Sequence, residues 1–105
     1  MKNMSQQQFE SRVREEKPLL VEFSAPWCVY CRRIAAPMEK VAVQWEERVD
    51  VFAVDIDQEP ALAEQEHIEV VPTLVVYKAG QVLGSLVAPD SKARIDEFIE
   101  EHLGV

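Results

Sequence analysis

The 105-residue sequence predicts an α/β fold in which a central mixed β-sheet of four or five strands is flanked by helices on both faces. Three observations carry this expectation. The run Leu19-Leu20-Val21-Glu22-Phe23 is continuously apolar apart from one acid, lacks the alternation of a strand with one wet face, and so asks for cover on both sides and a parallel neighbour. A second β-branched run, Val51-Phe52-Ala53-Val54-Asp55-Ile56-Asp57, follows after a long segment of helical periodicity, which gives the strand–helix–strand alternation of such folds. Finally, two apolar runs flank the short Ala79-Gly80-Gln81 turn, a hairpin signal that adds an antiparallel pair.

In chain order, Ser5 with Gln8 matches a capping box, and Phe9 with Val13 supplies an apolar stripe, so the first helix is expected from Gln6 to Glu15. Pro18 closes that segment, and the buried strand Leu19 to Ser24 begins. From Cys28 to Glu47, the residues Ile34, Ala35, Met38, Val41, Ala42 and Trp45 recur at helical spacing in phase with Cys31. Pro37 interrupts this helix: it removes one backbone donor and crowds the Arg33 carbonyl, which predicts a kink. After the strand Val51 to Asp57, Pro60 opens a third helix reaching Glu66, since proline suits the first helical turn. Val70-Val71-Pro72-Thr73 leads into the strand Leu74 to Lys78, and the hairpin returns it as Val82 to Val87. Asp90 or Ser91 caps a last helix whose Ile95, Phe98, Ile99 and Leu103 share one face, with His102 near its negative end. No repeat or linker divides the chain, and one domain over residues 1–105 is expected.

Nineteen acidic residues against eleven basic ones give a net charge of -8, which disfavours nucleic acid and anionic membranes as partners. Met1 to Gln6 lacks the apolar core of a secretory signal, and no run approaches the roughly 18 apolar residues of a membrane span, so a cytoplasmic protein is the expectation. Two cysteines cannot make the disulfide framework of a small secreted domain. The pair must be reactive, metal-binding or incidental.

Cys28 and Cys31, the only cysteines, lie between the buried strand and the long helix. Unpaired backbone N–H groups at a helix start, with the positive end of its dipole, favour a thiolate over a thiol, which makes Cys28 a nucleophile. A zinc pair is the competing reading. Zinc needs four ligands, and only His67 and His102, both far along the chain, remain to help, so no metal site is expected.

These residues carry a resemblance. Val21-Glu22-Phe23, Ala25, Trp27-Cys28-Val29-Tyr30-Cys31, Asp57, Val71-Pro72-Thr73 and the Lys78-Ala79-Gly80 turn together resemble the thioredoxin family over nearly the whole chain. The resemblance implies a thioredoxin fold and roles residue by residue. Cys28 resembles the attacking cysteine, exposed and of low pKa, which opens a substrate disulfide into a mixed disulfide. Cys31 resembles the less exposed resolving cysteine, which attacks Cys28 and frees the reduced substrate. Trp27 matches the tryptophan beside the site, and Pro72 the cis-proline opposite the cysteines, where the Val71 backbone pairs with an extended substrate segment. Val29 and Tyr30, between the cysteines, are expected to touch partners. Glu22 falls where the family has a buried acid that accepts the Cys31 proton, and a carboxyl in an apolar strand has a raised pKa. Its competing reading is an acid that reaches solvent at the strand end. Arg32 and Arg33 read as a solvated helix face, and Trp45 as core.

The sequence also departs from the pattern. Val29-Tyr30 replaces the usual Gly-Pro, the pair through which the family tunes its potential; the tyrosine resembles glutaredoxin, but no Gly-Gly segment follows Thr73 to hold glutathione. Glu22 is one methylene longer than the usual aspartate, Ala53 stands where a lysine often neutralises it, Ala36 takes the kink-proline position, Ser24 replaces a frequent aromatic, and Ala88 replaces a glycine on the substrate side. Only Met1 to Met4 are available for the family's first strand, so that edge is expected to be short.

The function implied is reduction of protein disulfides through the Cys28–Cys31 redox-active disulfide, by a monomer with no bound cofactor and with electrons from a flavin-containing, NADPH-dependent thioredoxin reductase. Two alternatives stand beside it: an isomerase-like or oxidising member, favoured by the lack of proline at Tyr30, and a non-catalytic adaptor that uses Trp27, Val71 and Pro72 to hold a partner and the cysteines as a redox sensor.

Overall fold

A computed structural model describes residues 1–104. In chain order the elements are β1 (Lys2–Asn3), α1 (Gln6–Arg12), β2 (Leu19–Ser24), α2 (Val29–Arg33), α3 (Ala35–Gln44), β3 (Asp50–Asp55), α4 (Pro60–Gln65), β4 (Thr73–Lys78), β5 (Gln81–Val87) and α5 (Lys92–Leu103). The five strands form one mixed sheet in the order β1-β3-β2-β4-β5. β2 lies at its centre, parallel to β3 and antiparallel to β4, which is why its sequence shows no solvated face. β1 is a two-residue edge strand against β3, as short as the sequence implies.

Alternate residues of β2 point to opposite faces of the sheet, and each face has its own cover. Leu19, Val21 and Phe23 pack with Val54, Val75 and Tyr77 under Phe9 of α1 and Leu62 of α4. On the other face Leu20, Leu74 and Val76 meet Ile34, Met38, Val41 and Trp45 from the α2–α3 side and Ile95, Phe98 and Ile99 of α5. Side chains of this size each contribute about 1.5–3 kcal/mol when fully buried, so these two layers hold the sheet between its helices. The Trp45 indole N–H donates to Asp96 Oδ1 at 2.9 Å, which fastens α3 to α5 while leaving no buried polar atom on the indole unpaired.

Several boundaries differ from the sequence expectation for identifiable reasons. Helix α1 ends at Arg12 rather than Glu15, because the Val13 and Glu15 carbonyls accept from Gly80 and Ala79 of the β4–β5 turn and so leave the helical ladder. The Arg12 guanidinium turns away to Asp50 and the Pro18 carbonyl. β3 stops at Asp55 rather than Asp57, since Asp55 Oδ1 accepts from the Asp57 and Gln58 amides and turns the chain. The single long helix expected from Cys28 to Glu47 is two helices. The break is at Ile34 (φ -92°, ψ 0°), immediately after Arg33, whose carbonyl faces the proline ring three residues into α3 and has no N–H there to receive.

The hairpin has a two-residue loop, Ala79-Gly80, with φ of 51° and 81°, the pair of left-handed residues that a type I′ turn requires. Ser91, not Asp90, caps α5 by accepting from the Arg94 amide. His102 near the end of α5 stacks on Phe98 and reaches β5, where a Cβ added at Gly84 would lie 2.2 Å from its Nε2. Because Nδ1 is held at the Phe98 carbonyl, the ring cannot move aside without losing both contacts. Gly84→Ala is therefore expected to cost about 1–3 kcal/mol, the range for overpacking, in a denaturant titration; a variant as stable as the parent would show that the ring swings out freely.

Candidate active site

The site forms where the carboxyl end of β2 meets the start of α2, beside the loop that enters β4. Cys28 is the N-cap of α2, with extended backbone (φ -83°, ψ 108°), and its Sγ accepts from the Cys31 backbone N–H at 3.1 Å. That donor is one of the amides a helix start leaves unpaired, so the backbone places a partial positive charge on the sulfur that would carry thiolate charge. Two intervening residues bring Cys31 round one turn, and the cysteines are joined as a disulfide with their Cα atoms 5.3 Å apart.

The resemblance implies an exposed Cys28; the structure corrects this. Both cysteines are 7% exposed. Val71, Ile56, Tyr30 and Ala25 pack around the pair, and the Val71 carbonyl oxygen lies 3.8 Å from Cys28 Sγ. The surface around this buried disulfide is apolar instead: Trp27, Val29 and Val70 are 61%, 59% and 51% exposed. The Trp27 indole N–H reaches Asp57 Oδ1 at 3.3 Å, which orients the ring beside the cysteines. The Val71–Pro72 peptide is cis, and Pro72 is buried while Val71 remains partly accessible.

Glu22 lies beneath. Period-two alternation puts it on the same face of the sheet as Leu20, toward α2 and α3, and it pairs in register with Ala53 of β3. Together with Cys31, Ala35, Arg32 and Ala53 it lines a cleft of about 310 Å³. Glu22 is 3% exposed, and burial pushes its carboxyl up from 4.5 to about 7. Burial alone accounts for the shift, and the register partner of Glu22 on β3 is the uncharged Ala53. At 3% exposure Glu22 is not an acid that reaches solvent at the strand end; it lines the cleft instead. Arg32 is exposed, donating to the Pro26 carbonyl, and Arg33 is also solvated, as the sequence implies.

Tyr30 sits between the two cysteines on α2. It is half-buried, with its hydroxyl donating to the Pro89 carbonyl at 2.9 Å. Of the dipeptide between the cysteines, Val29 is the more exposed. Ala88, at the position of the family's glycine, has φ 45°, a left-handed conformation that costs a residue with a Cβ about 1–2 kcal/mol. Ala88 and Val70 are exposed on this surface, while Pro89 is buried beneath it. Pro89 is 59 residues from Tyr30 in sequence, and no local pattern pointed to it.

A dithiol that closes to a disulfide on one helical turn, with an amide on the outer sulfur and an uncompensated acid below the inner one, is equipped for thiol–disulfide exchange. The comparisons agree. The thioredoxin family model matches residues 1–101. The chain is 37% identical to thioredoxin 1 of a Nostoc species over 86 residues, 82% of this chain and 80% of that protein. It is 35% identical to Staphylococcus aureus thioredoxin over 95 residues, 90% of each chain. A solved structure of Plasmodium falciparum thioredoxin superposes with a TM-score of 0.88 at 31% identity, covering 97% of this chain and 99% of that one. The buried redox pair, the mixed five-stranded sheet that carries it and these relatives lead to one conclusion: the chain belongs to the thioredoxin family and is a thiol–disulfide oxidoreductase.

Proposed function

We propose that the reduced Cys28/Cys31 pair transfers two electrons to disulfides in proteins. Cys28 thiolate attacks one substrate sulfur; the substrate disulfide breaks, a Cys28–substrate disulfide forms, and the other substrate sulfur leaves as a thiolate. Cys31 then loses its proton and attacks Cys28, closing the intramolecular disulfide and releasing the second substrate thiolate. Two substrate thiols form as two enzyme thiols are consumed, so the step balances without a bound cofactor. Glu22 accepts the Cys31 proton through the cleft they share. Trp27, Val29, Val71 and Pro72 receive the substrate, an extended segment lying along the Val71 backbone.

Support rests on one observation above the others: Cys28 is capped by the Cys31 amide at the start of α2 while Cys31 shares a cleft with an uncompensated, buried acid. Leaving and attacking sulfurs thus have different surroundings, which gives the exchange a direction. Restoring the dithiol falls to an NADPH-dependent thioredoxin reductase, as for the family. The chain works as a monomer in the cytoplasm, a setting in which a dithiol stays reduced. The net charge of -8 disfavours nucleic acid and anionic membranes as partners, and no helix among the described residues is long and apolar enough to cross a membrane.

The test is equilibrium titration of the pair against defined thiol–disulfide buffers, read by Trp27 fluorescence. A reversible two-electron transition near the roughly -270 mV of thioredoxin is expected. A value above about -200 mV would assign the chain to oxidation or isomerisation instead, because a more stable dithiol is a weaker donor.

A further inference from the structure

Two hydrogen bonds join three separate segments at the site. The Ala88 amide donates to the Pro72 carbonyl at 2.9 Å, tying the end of β5 to the cis-proline loop. One residue later the Pro89 carbonyl accepts from the Tyr30 hydroxyl, tying the same turn to the cysteine helix. The turn between those bonds is strained. Ala88 is left-handed at φ 45°, and the residue before a proline is further restricted, toward extended backbone. Pro89 has no N–H with which to hold the turn itself. A conformation of this kind persists only where its surroundings determine it. Tyr30 is suited to do so: its ring packs against both the α3–α5 core and the cluster around the disulfide, so the hydroxyl is presented from a fixed base.

We infer that Tyr30 is a positioning residue whose hydroxyl, by holding the Pro89 carbonyl, keeps the strained Ala88–Pro89 turn beside Pro72 and thereby sets how well a folded protein disulfide is accepted relative to a small one. A protein substrate must lie across the surface that includes this turn, whereas a small disulfide needs only the sulfur. The hydroxyl acts through the backbone it holds. This inference rests on the proposed reductase function.

Tyr30→Phe keeps the packed ring and removes only the hydroxyl. Turnover of insulin with dithiothreitol as electron donor is compared between the parent and the variant, as is reduction of dithiobis(nitrobenzoate) by the prereduced proteins freed of dithiothreitol, which would otherwise reduce that small disulfide directly. The KM for insulin is expected to rise about three- to tenfold, the worth of one hydrogen bond, with kcat moving less than about twofold, so that the ratio of insulin kcat/KM to the small-disulfide rate constant falls. Hydrogen exchange at the Ala88 amide is expected to quicken as its turn loosens. An unchanged insulin KM together with unchanged Ala88 exchange would overturn the inference. A fall in kcat at constant KM would overturn it as well, placing the hydroxyl in the chemistry rather than in positioning. A parent protein that turned over neither disulfide would sink the reductase reading first, and this inference with it.

Discussion

Replacing Cys31 by serine is expected to turn a catalyst into a trap: one substrate is attacked, and the product stays covalently attached to Cys28. The reason is geometric. The two cysteines sit on one turn with Cα atoms 5.3 Å apart, so the resolving thiol attacks at an effective concentration on the order of 10⁵ M or more, which no external thiol can match. Mass spectrometry under non-reducing conditions should find Cys31→Ser linked to one substrate through Cys28, and dithiothreitol should release it. Cys28→Ser removes the nucleophile itself. Its insulin kcat/KM is expected to fall by at least about a thousandfold, and no adduct should form. The adaptor alternative predicts the opposite pattern, in which both variants keep their partners without a covalent bond. Turnover by Cys28→Ser near the parental rate would end the assignment of that residue as nucleophile.

The second large effect belongs to Glu22, whose carboxyl titrates near 7 because burial disfavours its charged form. Below pH 4.5 the group is neutral in folded and unfolded chains alike, and burial carries no ionisation penalty. Between 4.5 and about 7 the folded chain keeps a proton that the unfolded chain has lost, so stability falls as pH rises. Above about 7 the folded carboxyl ionises and the penalty is complete, amounting to about 3 kcal/mol for that gap in proton affinity. Glu22→Gln has no such titration. Its unfolding free energy minus that of the parent is expected to increase by about 3 kcal/mol between pH 4.5 and 8, measured in urea at a series of pH values. A constant difference would mean that the acid is hydrated in place.

The same substitution separates a buried acid from a proton acceptor. If Glu22 takes the Cys31 proton, the rate at which substrate leaves the mixed disulfide rises in the parent as pH passes through about 7, and the glutamine variant loses that limb. A retained limb would leave Glu22 as a stability determinant only. Restoring the family's lysine by Ala53→Lys offers a further check, since the register places position 53 directly beside Glu22 and a cation there should draw the titration down.

Much of this molecule is local in origin and could be read from the chain. Ser5 and Gln8 make their capping box, Pro60 opens α4, Ala79-Gly80 turns the hairpin, and Cys28 caps α2, because each needs only residues a few positions apart. The unbroken apolar run Leu19–Phe23 marked the central strand, since a strand with two neighbours and two helix layers has no wet face. Cys28 and Cys31 were legible as a closely spaced pair at a helix start, whereas Glu22 and Pro72 were marked out by the family resemblance. The tertiary structure decided the rest. Helix α1 ends early because the distant hairpin turn takes its last carbonyls, and Cys28 is buried because Val71 and Ile56 close over it. Which residue stands beside Glu22 depends on the register between β2 and β3, which one residue of slip would change. That the Tyr30 hydroxyl meets Pro89 was hidden for the same reason: periodicity fixes which side a residue turns to, while what stands opposite depends on how segments far apart in sequence pack together.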